Sequence, residues 1–499
     1  MDLKKYIVYG GALACASSLS AVEKPNIIVF LVDDMGLMDT SLPFITDSLG
    51  NAIRCPLNDW YHTPNMERLA RQGVTFSTFY AQSVSSPSRL SLLTGQNAAR
   101  HHTTNWIKTE ENNRDLYGPR DWNWNGLSSS DYTLPRMLKT AGYKTIIVGK
   151  SHLGNGKSEG ADPLKLGFDV NIAGSSIGEP GSYYAEVGYG ATGGNAARAV
   201  PGLEKYHGTH THLTEALTIE ANAQIDTAVA EKKPFFLYMS HYAVHIPIDK
   251  DMRFFPKYVR KGLSDKDAAY ASLVEGMDKS LGDIMDWLDK NDEAKNTIIV
   301  FLGDNGGLAC NPKFREGPLF TQNSPLKSGK GSLYEGGIRV PFIVKWGDKV
   351  KAGTRNDNSI IIEDLYPTIL DMAGVKQYKV PQTIDGMDIV PLMEGKSDTN
   401  LVNRSLVWNF PNIWDGYGPG VNLNCAIRRG DWKLIYYYDT GRKELFNIPQ
   451  DIGENNDLST QNPAKVKELS AILGKTLREM KAQRPTFKAT GEPCKWPDE

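Results

Sequence analysis

Residues 25–34 read PNIIVFLVDD, an unbroken apolar run that ends in two carboxylates. A strand buried on both faces needs such a run, and a parallel sheet supplies that environment. Three similar runs follow: KTIIVG at 144–149, PFFLYMS at 234–240 and TIIVFLG at 297–303. Helical patterns lie between them. TPNMERLARQG puts Thr63 at an N-cap, Pro64 at the first helical position and Gly73 at the stop. Between Ser264 and Asn291, Leu273, Met277, Leu281, Ile284 and Leu288 recur at spacings of three and four, as a helix with one buried face requires. Alternating strands and helices predict an α/β domain around a largely parallel sheet.

The character changes near residue 400. RSLVWNF (404–410), 425–429, WKLIYYY (432–438) and 443–448 read as short strands joined by turns, and 465–483 reads as a closing helix. The expected division is a catalytic α/β domain over 22–400 and a smaller antiparallel α+β subdomain over 401–499. The Gly-rich stretch 174–202 reads as a long loop, and long loops inside compact domains are often functional.

The N-terminus pairs Lys4 and Lys5 with an apolar stretch from Ile7 to Leu19 and small residues at Ser20 and Ala21. This is the pattern of a signal peptide over 1–21. It predicts export to the periplasm or cell surface, with Cys15 in LAC offering a weak lipid-anchor context. No later segment has the length and apolarity of a transmembrane helix. Cleavage would leave Cys55, Cys310, Cys425 and Cys494, which form no close CxxC pair. A structural zinc site is not expected, and disulfides are permitted but not required. A net charge of -2 gives no general attraction for nucleic acid or anionic membranes, so an anionic substrate would need a local cationic site.

In open α/β sheets, ligands bind beyond the carboxyl ends of the strands. Those ends carry the chemistry here. The first run ends in Asp33-Asp34 and another in Asp304-Asn305-Gly306-Gly307. Adjacent carboxylates repel unless a cation or a proton neutralises them. An all-oxygen set of this kind suits Ca²⁺ or Mg²⁺ better than zinc. Lys150 and His152 follow KTIIVG, His241 and His245 follow PFFLYMS, and Lys327 and Lys330 lie in LKSGKGSLYEGGIRVP. Cations and proton carriers beside a metal shell fit an anionic ester with a poor leaving group.

The stretch SSPSRLSLLTG, from Ser85 to Gly95, resembles the C/S-x-P-S-R…T-G signature of the type I, formylglycine-dependent sulfatases. The double aspartate, GK-x-HLG, H-x-P, DNG and K-G-x-L-YEGG-x-RVP elements follow that family's order over about residues 25–345. GDWKLI and ELFNI are similar to its C-terminal subdomain. The chain thus resembles secreted bacterial carbohydrate sulfatases of the serine type, within the alkaline-phosphatase-like superfamily. The fold this implies is a large mixed, mainly parallel sheet sandwiched by helices.

The resemblance implies that a maturation enzyme oxidises Ser85 to formylglycine (3-oxoalanine), whose hydrate replaces an otherwise inert hydroxyl. It implies Ca²⁺ held by Asp33, Asp34, Asp304 and Asn305, with modified Ser85 as a further ligand. Arg89 and Lys150 would hold the hydrate, His152 would remove a proton in the elimination step, and His245 and Lys330 would act at the bridging oxygen. Ser88 would serve recognition or maturation. A helix starting near Pro87 would aim its N–H groups at the anion. Lys144 and Lys327 are expected as solvated charges, and His241 is open between a supporting role and a core role.

Sulfated glycans are the expected substrate class. Loops rich in Trp, Tyr, Asn and Arg suit sugar rings, with Asn105, Trp106, His207 and His212 as candidate contacts and a pocket for one sulfated residue as the expected form. HGTHTH lacks the HExxH spacing of a zinc site. Two other readings differ in kind. A phosphomonoester or phosphodiester hydrolase of the same superfamily would assemble a second metal site. A non-catalytic binder of sulfated glycans would leave Ser85 unoxidised.

Overall fold

A computed structural model describes residues 24–109, 118–119, 121–193, 195–310, 313–414, 418–487 and 489–499. The expected signal peptide, with Cys15, lies outside them. The 25–34 run forms strand β1 (Asn26–Val32), every residue of it buried. Its side chains alternate between two separate cores: Ile28, Phe30 and Val32 enter one and Ile27, Val29 and Leu31 the other. That alternation is why the run has no polar position. Each full burial of such a side chain contributes roughly 1.5–3 kcal/mol.

The other strands of this domain are β2 (Val74–Phe76), β3 (Phe79–Tyr80), β4 (Lys144–Gly149), β5 (Val170–Ile172), β6 (Phe235–Ser240), β7 (Thr297–Gly303), β8 (Arg339–Val340), β9 (Phe342–Lys345), β10 (Thr354–Asn356) and β11 (Ile360–Ile361). Eight form one sheet in the order β10-β2-β9-β7-β1-β6-β4-β5. The central four, β7-β1-β6-β4, are parallel neighbours, so their carboxyl ends share one edge. β9 runs against both β7 and β2, which makes the sheet mixed. Helices Pro64–Gln72, Leu213–Ala230 and Asp265–Lys290 cover one face. Helices Ser85–Thr94, Leu134–Thr140 and Leu365–Met372 cover the other. The fold class is the expected one.

Local details differ from the sequence reading. Thr63 does not cap its helix: its hydroxyl contacts those of Thr40 and Ser41. The carboxylate of Asp278 instead accepts from the Asn65 and Met66 amides. Gly73 ends that helix in extended backbone, where a Cβ would lie 2.2 Å from the Val344 carbonyl oxygen. Close approach, rather than handedness, requires glycine there.

The C-terminal region is a four-stranded antiparallel sheet, β12 (Ser405–Phe410), β13 (Asn424–Arg429), β14 (Trp432–Tyr437) and β15 (Lys443–Asn447). One face packs Leu406, Trp408 and Ile435 against Tyr80, Val84 and Tyr334 of the main domain. The helix Pro463–Glu479 covers the other. Lys433 is buried at this junction between Glu335 and Glu454, 2.9 Å from each. Cys55, Cys310, Cys425 and Cys494 are buried and unpaired. Among the described residues, no helix is long and apolar enough to cross a membrane.

Candidate active site

The four parallel strand ends bring the expected residues together. Asp33 and Asp34 follow β1, Asp304 and Asn305 follow β7, Lys150 and His152 follow β4, and His245 lies on the turn after β6. Asp34 adopts φ +60°, a left-handed conformation that aspartate tolerates better than most residues. Gly306 lies so close to the Gly336–Gly337 backbone that a Cβ would sit 2.0 Å from the Gly336 carbonyl oxygen. The paired glycines of DNGG and YEGG therefore let two loops touch behind the carboxylates.

Ser85 opens the helix Ser85–Thr94, two residues before Pro87, and is 2% exposed. Its hydroxyl lies 3.0 Å from Asp33 Oδ1, 3.1 Å from Asn305 Oδ1 and 3.3 Å from Lys150 Nζ. Gly95 ends the helix at φ +69° and its carbonyl accepts from Asp385 and Gly386, which gives the T-G pair a structural task. Ser88 accepts from the Gln82 amide, fixing the turn into the helix. Ser86 accepts from the Ile107 amide.

Asp33, Asp34 and Asp304 offer oxygens within 4.8 Å of one another. Buried charges on this scale must be paired. Lys150 lies 2.6 Å from Asp33, Lys330 2.6 Å from Asp34, and Arg89 donates to Asp304 at 2.8 and 3.0 Å. The balance is uneven. Burial, then the Asp304 charge, pushes the Asp33 carboxyl well above its usual range despite Lys150. Burial opposes ionisation of Asp34 too, but the Lys330 charge beside it outweighs that and holds the carboxyl low, with His245 adding to it only when protonated. A cradle of three carboxylates and the Asn305 amide, one carboxylate of which is destabilised as an anion, fits a hard divalent cation.

Both histidines at the rim are neutral in this arrangement. Burial, then the Lys150 charge, lowers His152 well below the ordinary imidazole value. Its Nε2 donates to the Ile107 carbonyl at 2.7 Å, which leaves Nδ1 able to accept a proton. Burial and the Lys330 charge bring His245 down to about 4, against the pull of Asp34. Its Nδ1 lies 3.0 Å from the Ile246 carbonyl oxygen, and Nε2 stands 3.6 Å from Asp34.

Ser85, Lys150, His152, His245 and Lys330 open on one cavity of about 190 Å³, walled by Trp106, Phe314 and Trp414. Trp106 is thus at the pocket. Asn105 is not in its lining but stands behind that wall, accepting from the Trp106 amide and donating to the Ile413 carbonyl. His207 and His212 are outside the lining. His207 is exposed against Tyr189. His212 is buried and stacked on Tyr183, whose hydroxyl holds the Tyr242 and His245 carbonyls, so it sits one layer back. His241 is a core residue, packed on Phe30 and bonded to Ser280 at 2.9 Å. Lys144 is not simply solvated, because it pairs with Glu231 at 2.8 Å. Nor is Lys327, which lies over the Tyr334 ring and bonds the Glu454 carbonyl.

Sequence reasoning missed Glu179, Phe314 and Trp414. They come from three separate loops, one in the C-terminal region, and carry no local motif. The signs available were the long Gly-rich stretch 174–202, which holds Glu179, and the glycine after Lys330, where a Cβ would fall 2.2 Å from the Trp414 ring.

A carboxyl-edge cleft that sets buried carboxylates and cations around one serine defines an α/β enzyme for anionic esters. Comparison with known proteins narrows that class. The sequence model of the sulfatase family matches residues 25–375, and that of the N-sulphoglucosamine sulphohydrolase C-terminal region matches 329–483. A sulfatase of Formosa agariphila is 31% identical, covering 89% of this chain and 86% of its own. The N-acetylgalactosamine-6-sulfatase of Mus musculus is 32% identical, covering 88% and 83%. The crystal structure of Ps i-CgsB in complex with k-i-k-neocarrahexaose has a TM-score of 0.72 at 27% identity, covering 93% and 94%. The chain belongs to the sulfatase family and is a sulfuric ester hydrolase.

Proposed function

We propose that the protein removes O-sulfate groups from sugars of sulfated glycans, using residue 85 as formylglycine and a bound Ca²⁺. The observation that carries this reading is the convergence on Ser85: carboxylate, amide and ammonium groups meet its hydroxyl within 3.3 Å, with Lys330 and His245 lining the same cavity. Sugar chemistry is supported by the aromatic walls and by the glycan-directed names of the relatives. Asp33, Asp34, Asp304 and Asn305 would hold the cation, which would supply positive charge beside the reacting oxygens. Oxidised and hydrated, residue 85 would supply two hydroxyls, one to attack sulfur and one to expel sulfate as the carbonyl re-forms.

The remaining roles belong to side chains already in place. Lys150, 3.3 Å from the residue 85 hydroxyl, puts positive charge beside it, and Arg89 adds charge from the far side of Asp33 and Asp304, which favours the deprotonated nucleophile. His152, neutral and with Nδ1 left as an acceptor 3.4 Å from the Ser86 hydroxyl, accepts the proton lost in the elimination step. Lys330 remains charged and binds the ester oxygens. His245 must gain a proton before it can act as general acid. An arriving sulfate anion favours that protonation, because a nearby negative charge stabilises imidazolium. The proton then goes to the departing sugar oxygen, which is too basic to leave as an alkoxide.

The full reading includes export by a signal peptide over 1–21, oxidation of Ser85 by a maturation enzyme, and a division near residue 400 in which the second part supplies Trp414. The testing experiment assays matched sulfate and phosphate monoesters side by side, with and without chelator. Sulfate turnover that calcium restores is the expected result. Faster phosphate turnover by protein with unmodified Ser85 would replace this reading with that of a phosphoester hydrolase.

A further inference from the structure

The Gly-rich loop 174–202 has no part in the chemistry above, yet it puts a carboxylate into the cavity wall. Gly178 and Glu179 both line the pocket. Gly178 presses so closely on His152 that a Cβ would lie 2.8 Å from its ring, which fixes where Glu179 begins. Arg198, from the far end of the same loop, holds Glu179 Oε1 at 2.8 Å. The Gly181 amide donates to the Arg198 carbonyl at 2.7 Å and ties the two ends together. The Glu179 side chain keeps 29% of its surface open. Burial opposes its charge, but the Arg198 guanidinium, joined by His245 whenever that ring is protonated, holds its carboxyl below the usual range.

This carboxylate is misplaced for binding sulfate: Lys150 and Lys330 in the same wall favour the anion, and the other lining carboxylate, Asp34, is paired with Lys330 in the proposed cation cradle. It is also outside the cluster of Asp33, Asp34 and Asp304. An ionised carboxylate accepts hydrogen bonds and repels anions. We infer that Glu179, held by Arg198, is a specificity residue that accepts a hydrogen bond from a free hydroxyl on the sulfated ring and excludes rings carrying a second anionic group there. The preferred substrate is then a monosulfated neutral pyranose, rather than a uronate or a disulfated sugar.

This inference rests on the sulfatase reading, and its test separates the two. The probes are galactose and N-acetylgalactosamine monosulfates. The best of them is compared with counterparts bearing an O-methyl group or a second sulfate at each remaining hydroxyl. At one ring position the wild-type, calcium-loaded enzyme should lose about tenfold to a hundredfold in kcat/KM on methylation, the worth of one hydrogen bond to a charged group. It should lose more on sulfation.

Glu179→Ala should bring the hydroxyl-to-methyl ratio within threefold. Glu179→Gln, of the same shape, should mainly relieve rejection of the disulfated sugar. Ratios unchanged in both variants would overturn the inference. If no sugar sulfate is hydrolysed at all, the sulfatase reading fails by itself. Calorimetric binding of the same sugars then decides the inference: the same ranking supports it, and equal affinities for all three forms overturn it.

Discussion

Arg89→Met isolates the electrostatics of the proposed calcium site. Arg89 is fully buried and makes four hydrogen bonds. Two go to Asp304 Oδ2, one to the Lys150 carbonyl at 3.0 Å and one to the Ser240 hydroxyl at 2.6 Å. Methionine keeps much of the length and removes the charge. Three carboxylates then face only Lys150 and Lys330 directly. Removing one partner of a buried ion pair costs about 3–5 kcal/mol, because the other charge stays buried. A divalent cation in the cradle would compensate the same carboxylates. Urea unfolding followed by circular dichroism should therefore show a loss of about 3–5 kcal/mol in chelator. Saturating calcium should return at least half of it, while sulfatase turnover stays lost. A loss that calcium leaves unchanged would refute the idea that these carboxylates share one cation.

Further tests follow from the same structure. Calcium at a hundred times its Kd should stabilise the wild type by about 2.7 kcal/mol, and Asp304→Asn should abolish most of that gain in the same unfolding assay. His241 is held at about 3, chiefly by burial. Its unfolded form takes up a proton first as pH falls through about 6.5, so native stability drops between roughly pH 6.5 and 3. His241→Phe should lower that slope by about 1.4 kcal/mol per pH unit within the window. Gly306→Ala should force the 304–307 turn away from Gly336 and weaken calcium binding measured calorimetrically, since its Cβ would meet a carbonyl oxygen at 2.0 Å. Lys433→Met should cost about 3–5 kcal/mol in unfolding free energy by taking the buried cation from Glu454, while Glu335 keeps Arg339 at 3.2 Å and Arg428 at 3.7 Å.

The legible parts of the fold are those whose residues respond to burial alone. β1, β4, β6 and β7 are long runs covered on both faces, so their composition announces them. The site residues at their ends are legible for the same reason, because a parallel sheet collects its strand ends at one edge. The short strands β2, β3 and β8 to β11 span two to four residues each and offer no period to read. Their pairing is set by tertiary contact. Thr63 was misread as a cap because Asp278, more than two hundred positions away, takes that task. The pocket wall was illegible because Glu179, Phe314 and Trp414 meet only after three loops close over the sheet edge. His207 and His212 show the opposite failure: a histidine-rich loop looks functional in sequence, yet one ring faces solvent and the other packs on Tyr183.

The measurement that bears most directly on the proposed mechanism is the mass of the tryptic peptide Gln72–Arg89 from enzyme of known sulfatase activity. The account predicts a peptide two hydrogens lighter than the encoded sequence, or its hydrate, in a proportion that tracks turnover across preparations. Full activity in protein whose Ser85 is entirely unmodified would contradict it.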